Sequence, residues 1–232
     1  MTKKEILDAI HGNDHFCQAV EGEPLYVEEK SIMYLMARAA KQAGTPAIRT
    51  SSIRDVIAIK EETGLPVIGL VKIQYPGYEG YITPTMKEVD DLVAAGSDVV
   101  ALDCTLRKRG DGITVNEFIA QIKEKYPDII LMADISNYEE GINAWKCGVD
   151  IVGTTMSGYT DYTSKKDEPD YELMERLAKD TDIPVIGEGK IHYPDQAVKA
   201  LQTGVWAIVV GGAITRPLEI AQRFQKAIEN SK

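Results

Sequence analysis

Short apolar runs alternate with longer amphipathic stretches along this chain. The runs occupy residues 16–20, 46–48, 66–71, 98–102, 129–133, 149–153, 183–187 and 205–210. They are continuous rather than alternating with polar positions, as in parallel strands covered by helices on their outer side. Between them apolar residues recur at helical spacing. In residues 30–43, for example, Ile32, Leu35, Met36 and Ala39 are predicted to share one face. A further short helix, roughly residues 3–10, precedes the first strand.

The punctuation agrees with this alternation. Gly44, Gly64, Gly96, Gly148 and Gly204 each fall between an amphipathic stretch and the next apolar run. Glycine adopts the left-handed backbone of a helix C-terminus without a Cβ clash, so each is read as a helix end before a strand. Thr85 with Glu88, Thr114 with Glu117 and Ser136 with Glu139 have the spacing of a capping box at a helix start. About eight βα units, with no break in composition and no Ser/Gly/Pro-rich linker, predict a (β/α)8 TIM barrel in one domain over residues 1–232. A doubly wound open sheet is the alternative. No Gly-x-Gly-x-x-Gly follows the first strand to suggest its usual dinucleotide site.

Composition narrows the function classes. A formal net charge of −10 without a block of Lys and Arg disfavours nucleic acid and anionic lipid as partners. The N-terminal 14 residues lack an apolar core, and no stretch reaches the roughly 20 apolar residues that span a bilayer, so a cytoplasmic protein is expected. Cys17, Cys104 and Cys147 are odd in number, far apart and without Cys-x-x-Cys, and read as small hydrophobic residues. His11, His15 and His192 lack metal-ligand spacing, and no Gly-x-Ser-x-Gly marks a hydrolase.

In a TIM barrel the chemistry sits at the C-terminal ends of the strands. Those positions are Gln18, Arg49, Lys72, Asp103, Asp134, Thr154, Glu188 and Gly211. Strand ends meet solvent and tend to be polar, which accounts for some of them; Asp103 reads as well that way as any other. It does not account for Arg49, Lys72, Asp134 and Glu188 converging on one mouth from strands 2, 3, 5 and 7. The last two loops, Gly187-Glu188-Gly189-Lys190 and Gly211-Gly212-Ala213-Ile214-Thr215-Arg216-Pro217, have the glycines that let backbone amides approach a phosphate. Arg216 is placed to clamp that anion, and Pro217 suits the first turn of the last helix. Met156, Tyr159 and Tyr162, in the loop after strand 6, fit a pocket wall or a simple cover over the barrel.

Several strings resemble N-acetylmannosamine-6-phosphate 2-epimerases. They are Cys17-Gln18-Ala19 with Glu23-Pro24-Leu25, Ala47-Ile48-Arg49, Pro66-Val67-Ile68-Gly69 leading to Lys72, Tyr81-Ile82-Thr83-Pro84-Thr85, and Ala101-Leu102-Asp103. Met132-Ala133-Asp134-Ile135, Gly153-Thr154-Thr155, Gly158-Tyr159-Thr160, Glu188-Gly189 and the run 209–217 complete the set. The resemblance implies an isomerase of sialic acid breakdown that inverts C2 of a phosphorylated N-acetylhexosamine without metal or organic cofactor. It implies that Lys72 moves the C2 proton and that Glu188 assists at the sugar carbonyl or ring oxygen. Gln18, Arg49 and Asp134 would hold the sugar. Gly189, Gly211, Gly212 and Arg216 would hold the phosphate. It implies a homodimer in which the helix after Arg216 packs on the partner. The chain departs from the usual pattern at Phe16, Tyr26, Ile73 and Lys190, close to the pocket, where the identity of the sugar is decided.

Lysine has a reference pKa of about 10.4, so a base role for Lys72 requires a fall of roughly three units. Desolvation would supply it and Glu188 would oppose it, so the two are expected to titrate as a pair. A Schiff-base aldolase or lyase built on Lys72, and a non-catalytic barrel that binds a sugar phosphate, are the other readings.

Overall fold

The computed structural model describes residues 1–17, 25–26, 31–165 and 167–231. Helix α1 (Lys3–Ala9) is followed by β1 (Gly12–Cys17), α2 (Met33–Gln42), β2 (Ile48–Ser51), α3 (Ile53–Thr63), β3 (Val67–Leu70), α4 (Met86–Ala94) and β4 (Val99–Asp103). Next come α5 (Val115–Lys125), β5 (Ile130–Asp134), α6 (Tyr138–Lys146), β6 (Ile151–Gly153), α7 (Tyr171–Asp180), β7 (Val185–Glu188), α8 (Pro194–Gln202) and β8 (Ala207–Val210). The single turn α9 (Gly212–Thr215) and the longer α10 (Pro217–Asn230) end the chain. All neighbouring strands are parallel and in sequence order, and β8 pairs back on β1 from Gly12↔Ala207 to His15↔Val210. This is the closed eight-stranded barrel the alternation predicts.

Closure separates two apolar regions. The lumen is filled by Ile68, Leu70, Val99, Ala101, Ile130, Met132, Ile151, Ile186 and Ala207, with Ile6 and Ile10 of the first helical segment packed against them. Trp206 donates to the Leu7 carbonyl at 3.1 Å and Lys3 pairs with Asp150 at 2.7 Å, which fixes α1 across the N-terminal end of the barrel. The larger region lies between sheet and helices and includes Val56, Ile59, Leu92, Leu102, Phe118, Ile119, Leu131, Met174 and Leu177. With one end plugged, ligands have access from the other, where the strands end.

All five helix-ending glycines have positive φ, from 65° at Gly64 to 94° at Gly44. The boxes Thr85–Glu88 and Thr114–Glu117 form, and Pro217 takes the first turn of α10. Three expectations are corrected. Strand β1 begins four residues earlier than the apolar run, because the polar stretch from Gly12 gains ladder partners on both β8 and β2 when the barrel closes. Helix α2 buries Met33, Ala37 and Ala40 while Leu35 is exposed, so its inward face is turned from the expected one. At α6 the cap is Asn137, whose side chain accepts from Glu140 N–H; Glu140, not Glu139, accepts from the Ser136 backbone and hydroxyl at 2.7 Å.

The two levels of this architecture carry different stability. Leu102→Ala opens a cavity in the sheet–helix core and should cost about 2–5 kcal/mol. Thr114→Ala removes only an exposed cap and should cost about 1 kcal/mol. Urea unfolding followed by circular dichroism measures both, and equal losses would contradict the burial assigned to β4.

Candidate active site

Arg49 enters the barrel because side chains alternate along a strand: Ile48 faces the sheet–helix core, so Arg49 points to the lumen. Its side chain is completely buried. Nη2 donates to Asp134 Oδ2 at 2.6 Å, Nε lies 3.1 Å from Glu188 Oε2, and Nη1 contacts the Met132 sulfur at 3.2 Å. Burial acts to lower the guanidinium pKa, but Asp134 and Glu188 outweigh it and the net shift is upward. Arg49 is therefore a fixed cation with a carboxylate from β5 and one from β7.

Thr155 joins the same network. Its hydroxyl lies 2.7 Å from Asp134 Oδ1 and 3.1 Å from Glu188 Oε2. One hydroxyl proton serves one carboxylate at a time, which leaves an oxygen lone pair for the other if that group holds a proton. Burial raises the pKa of both acids; Arg49 opposes this at each, and each raises the other or is raised by a neighbouring acid. Thr154 locks the backbone beneath Glu188, accepting from Glu188 N–H at 3.0 Å and donating to its carbonyl at 2.9 Å.

Lys72 lies just past β3 and is held by the loop that follows. Its backbone pairs antiparallel with Ile82, Ile73 N–H donates to the Tyr81 carbonyl at 2.9 Å, and Thr83 N–H donates to the Val71 carbonyl at 2.7 Å. Lys72 N–H also reaches Ser51 Oγ at 3.3 Å. Burial lowers the amine pKa from 10.5 to about 8; Glu188 and Asp134 resist the fall, while Arg49 and Arg216 reinforce it.

Lys72, Glu188 and Arg49 line one cavity of about 820 Å³, its open mouth included. The glycine loops form its other end, with Gly189, Lys190, Gly211, Gly212 and Arg216 on the lining. Gly189 and Lys190 both have positive φ, at 104° and 60°, so the chain turns sharply after β7 where it lines the cavity. The turn α9 is too short to carry a substantial helix dipole, so the cationic side chains and loop amides dominate there.

The sequence positions do not all meet. Asp134 is absent from the cavity lining among the described residues and stands behind Arg49 instead. Asp103 turns aside to bind Arg107 at 2.7 Å and Thr105. Gln18, Glu23 and Pro24 lie outside the described residues, as do the side chains of His15, Phe16 and Cys17. Met156 and Tyr159 line the cavity, whereas Tyr162 binds Glu140. Thr155, Tyr81 and Glu219 were not among the predicted site residues, because reading each strand's first following residue passes over side chains one or more positions further on; His192, read only as lacking metal-ligand spacing, also lines the cavity. Asp14 was missed as well. It is fully buried in β1, burial and Glu188 push its carboxyl well above the usual range, and the Ala47 backbone opposes this without meeting hydrogen-bond geometry.

Among the described residues no three His, Cys, Asp or Glu side chains cluster as a metal site. Cys104 is buried in the sheet–helix core, and His11 stacks on Trp206 with ring centres 4.4 Å apart, far from the mouth. No helix among the described residues is long and apolar enough to cross a membrane.

Comparison with known proteins places this geometry. A family described as "Putative N-acetylmannosamine-6-phosphate epimerase" matches residues 33–230. A protein of Caldanaerobacter subterraneus subsp. tengcongensis named "Putative N-acetylmannosamine-6-phosphate 2-epimerase" is 53% identical over 93% of this chain and 90% of its own length. One of the same name from Clostridioides difficile is 50% identical over 92% and 94%. The solved N-acetylmannosamine-6-phosphate 2-epimerase of Clostridium perfringens superposes with a TM-score of 0.90 at 47% identity, covering 95% of each chain. A thiamine phosphate pyrophosphorylase from Pyrococcus furiosus, at 19% identity and a TM-score of 0.59, shares the fold. The chain belongs to the N-acetylmannosamine-6-phosphate 2-epimerase family of isomerases.

Proposed function

We propose that this chain interconverts N-acetylmannosamine 6-phosphate and N-acetylglucosamine 6-phosphate in the cytoplasm, using its own side chains and no organic cofactor. The observation that carries the reading is the lining of one cavity by an amine and a carboxyl group whose pKa values are both moved toward neutral forms. In the ring-opened sugar the C2–H bond lies beside the C1 aldehyde. Lys72 Nζ takes the C2 proton, the electron pair of that bond passes to the C1 oxygen, and Glu188 stabilises the charge there by giving a proton or a hydrogen bond. Once the enol turns its other face to the amine, the Lys72 ammonium gives a proton to C2 and any proton on the C1 oxygen returns to Glu188, which yields the epimer and restores both groups.

Arg49 is assigned to the sugar directly, with Gln18 as a further sugar ligand. Asp134 is assigned to the sugar through Arg49, because its carboxylate is taken up by the guanidinium and Thr155. Gly189, Gly211, Gly212 and Arg216 are assigned to the 6-phosphate. Helix α10 supports a homodimer: none of its residues is buried, and Leu218, Phe224 and Ile228 are exposed, Phe224 by 70%. An apolar helix face left in water favours cover by a second copy.

Proton transfer at C2 is read directly by incubating substrate in heavy water. Wild-type protein should place deuterium at C2 of recovered substrate, and Lys72→Ala should lose this exchange by about 100-fold or more. Exchange at the wild-type rate in the variant would remove Lys72 from the step. A covalent adduct on Lys72 after borohydride treatment with substrate would favour a Schiff-base reaction, which a lowered amine pKa also suits.

The pH dependence has a defined sign. A depressed lysine pKa means that the neutral base gains population as pH rises through about 8, so kcat/KM should climb toward pH 8 and then level off. A profile flat from about pH 6 to 9 would contradict Lys72 as the base.

For the assembly, Phe224→Asp should convert the dimer to a monomer by light scattering. A single unchanged mass for both proteins would place the interface elsewhere.

A further inference from the structure

The phosphate end of the cavity contains a carboxylate of its own. Glu219, on the first turn of α10, lines the cavity together with Arg216, Gly211 and Gly212. Its Oε1 accepts from Arg216 Nη1 at 2.7 Å. Its other oxygen, Oε2, lies 2.8 Å from where a Cβ on Gly212 would sit, so the carboxylate rests against the glycine backbone of the loop itself. The group that best fits this loop in the proposed reading is another anion with the same appetite for Arg216.

We infer that Glu219 is an internal competitor for Arg216, and that a phosphorylated ligand binds by exchanging its phosphate for this carboxylate. This rests on the assignment of Arg216 and the glycine loops to the phosphate. The two anions are not equivalent. Phosphate carries close to two negative charges at neutral pH and can accept two parallel hydrogen bonds from a guanidinium, whereas the Glu219 carboxylate, which accepts from Arg216 Nη1 through Oε1, carries one charge. The Arg216 and Glu219 side chains are 32% and 39% exposed, so their pairing is in the weak class that a stronger anion displaces. Left in place beside a bound phosphate, Glu219 would add like-charge repulsion at close range.

The displaced side chain has somewhere to go. Arg223 lies four residues further along α10, the spacing at which a glutamate N-terminal to an arginine pairs well on a helix. His192 lies on the cavity wall with a buried Nδ1 that has no hydrogen-bond partner among the described residues, and both Glu219 and Arg223 are close enough to influence it electrostatically. Exchange therefore moves Glu219 from one cation to another rather than into an uncompensated position. The consequence is selectivity by charge: a neutral sugar cannot displace Glu219, so Arg216 stays occupied unless the ligand brings an anion.

The experiment uses inorganic phosphate as a competitive inhibitor of epimerisation by the 232-residue chain. Glu219→Gln keeps the size of the side chain and removes its charge. It should lower the inhibition constant of phosphate about threefold to fivefold, in line with the loss of one weak competing ion pair. A merely structural role for Glu219 would raise that constant or leave it alone, and either result overturns the exchange. Arg216→Ala separates this failure from failure of the site assignment. If Arg216→Ala weakens phosphate and Glu219→Gln does not tighten it, the phosphate site stands and the competitor is overturned. If Arg216→Ala leaves phosphate inhibition unchanged, the site assignment fails and the inference falls with it. In the Arg216→Ala background, Glu219→Gln should tighten phosphate by less than it does in the wild type; an undiminished effect would show that Arg216 is not the contested group.

Discussion

A guanidinium buried without counterions would cost several kcal/mol of stability, and Arg49 sits with no solvent exposure inside the barrel. Its position is tolerable because β5 and β7 each bring a carboxylate to it, at 2.6 and 3.1 Å. Those strands are remote from β2 in sequence and meet it only across the lumen of a closed sheet. The charge network and barrel closure are thus one constraint: an open sheet would strand the arginine, and an uncharged lumen would leave the strand ends nothing to organise. Thr155 and Met132 add further contacts to the network among the described residues.

A further carboxyl completes this account. Asp14 and Glu188 both pair with Val209 in the sheet register, which puts them two strands apart in one row on the same face. Burial and Glu188 both push the Asp14 carboxyl toward its neutral form, which lessens the negative charge around Arg49 and Lys72 beyond that of Asp134 and Glu188. An ionised Asp14 would add a third anion to the lumen, pull the Lys72 proton more tightly, and work against the neutral amine. The polar start of β1 is therefore part of the electrostatics of the mouth as well as of the barrel's closure.

How much of this was legible in the sequence depended on how local the cause was. Helix-ending glycines were readable because the left-handed backbone is a property of one residue, and Gly44, Gly64, Gly96, Gly148 and Gly204 all adopt it. Lys72, Glu188 and Arg49 were readable because strand order and strand ends place them. The early start of β1 was not, since its ladder partners are on β8, nearly 200 residues away, and no local propensity announces them. The rotation of α2 and the shift of the α6 cap from Ser136 to Asn137 are one-residue differences, set by which position docks best on the sheet. Asp134 was readable as a strand end, but a strand-end rule does not say whether a side chain meets a ligand or a neighbour; here its carboxylate pairs with Arg49. Thr155 stands only inside a longer family-like string and Glu219 in no motif, and each acquires its meaning from a partner 2.7 Å away.

The electrostatics of the mouth also bear on the proton transfer proposed for Lys72 and Glu188. In water an amine and a carboxyl differ by about six pKa units, so the pair is an ammonium and a carboxylate and neither is a useful base or acid near neutral pH. Burial acts on the two in opposite directions, lowering Lys72 to about 8 and raising Glu188, because it disfavours the charged form of each. Their mutual attraction resists both changes, and left to themselves a buried pair would settle as ions. Arg49 alters that outcome asymmetrically. It holds down the pKa of both groups, which helps the amine lose its proton while keeping Glu188 from becoming a permanent neutral acid. Arg216, on the cavity wall beside the glycine loops, lowers Lys72 further. Burial, with Arg49 between the acids and Arg216 at the glycine-loop end of the cavity, thus moves amine and carboxyl away from a fixed ion pair, the condition that the proposed transfer at a carbon atom requires.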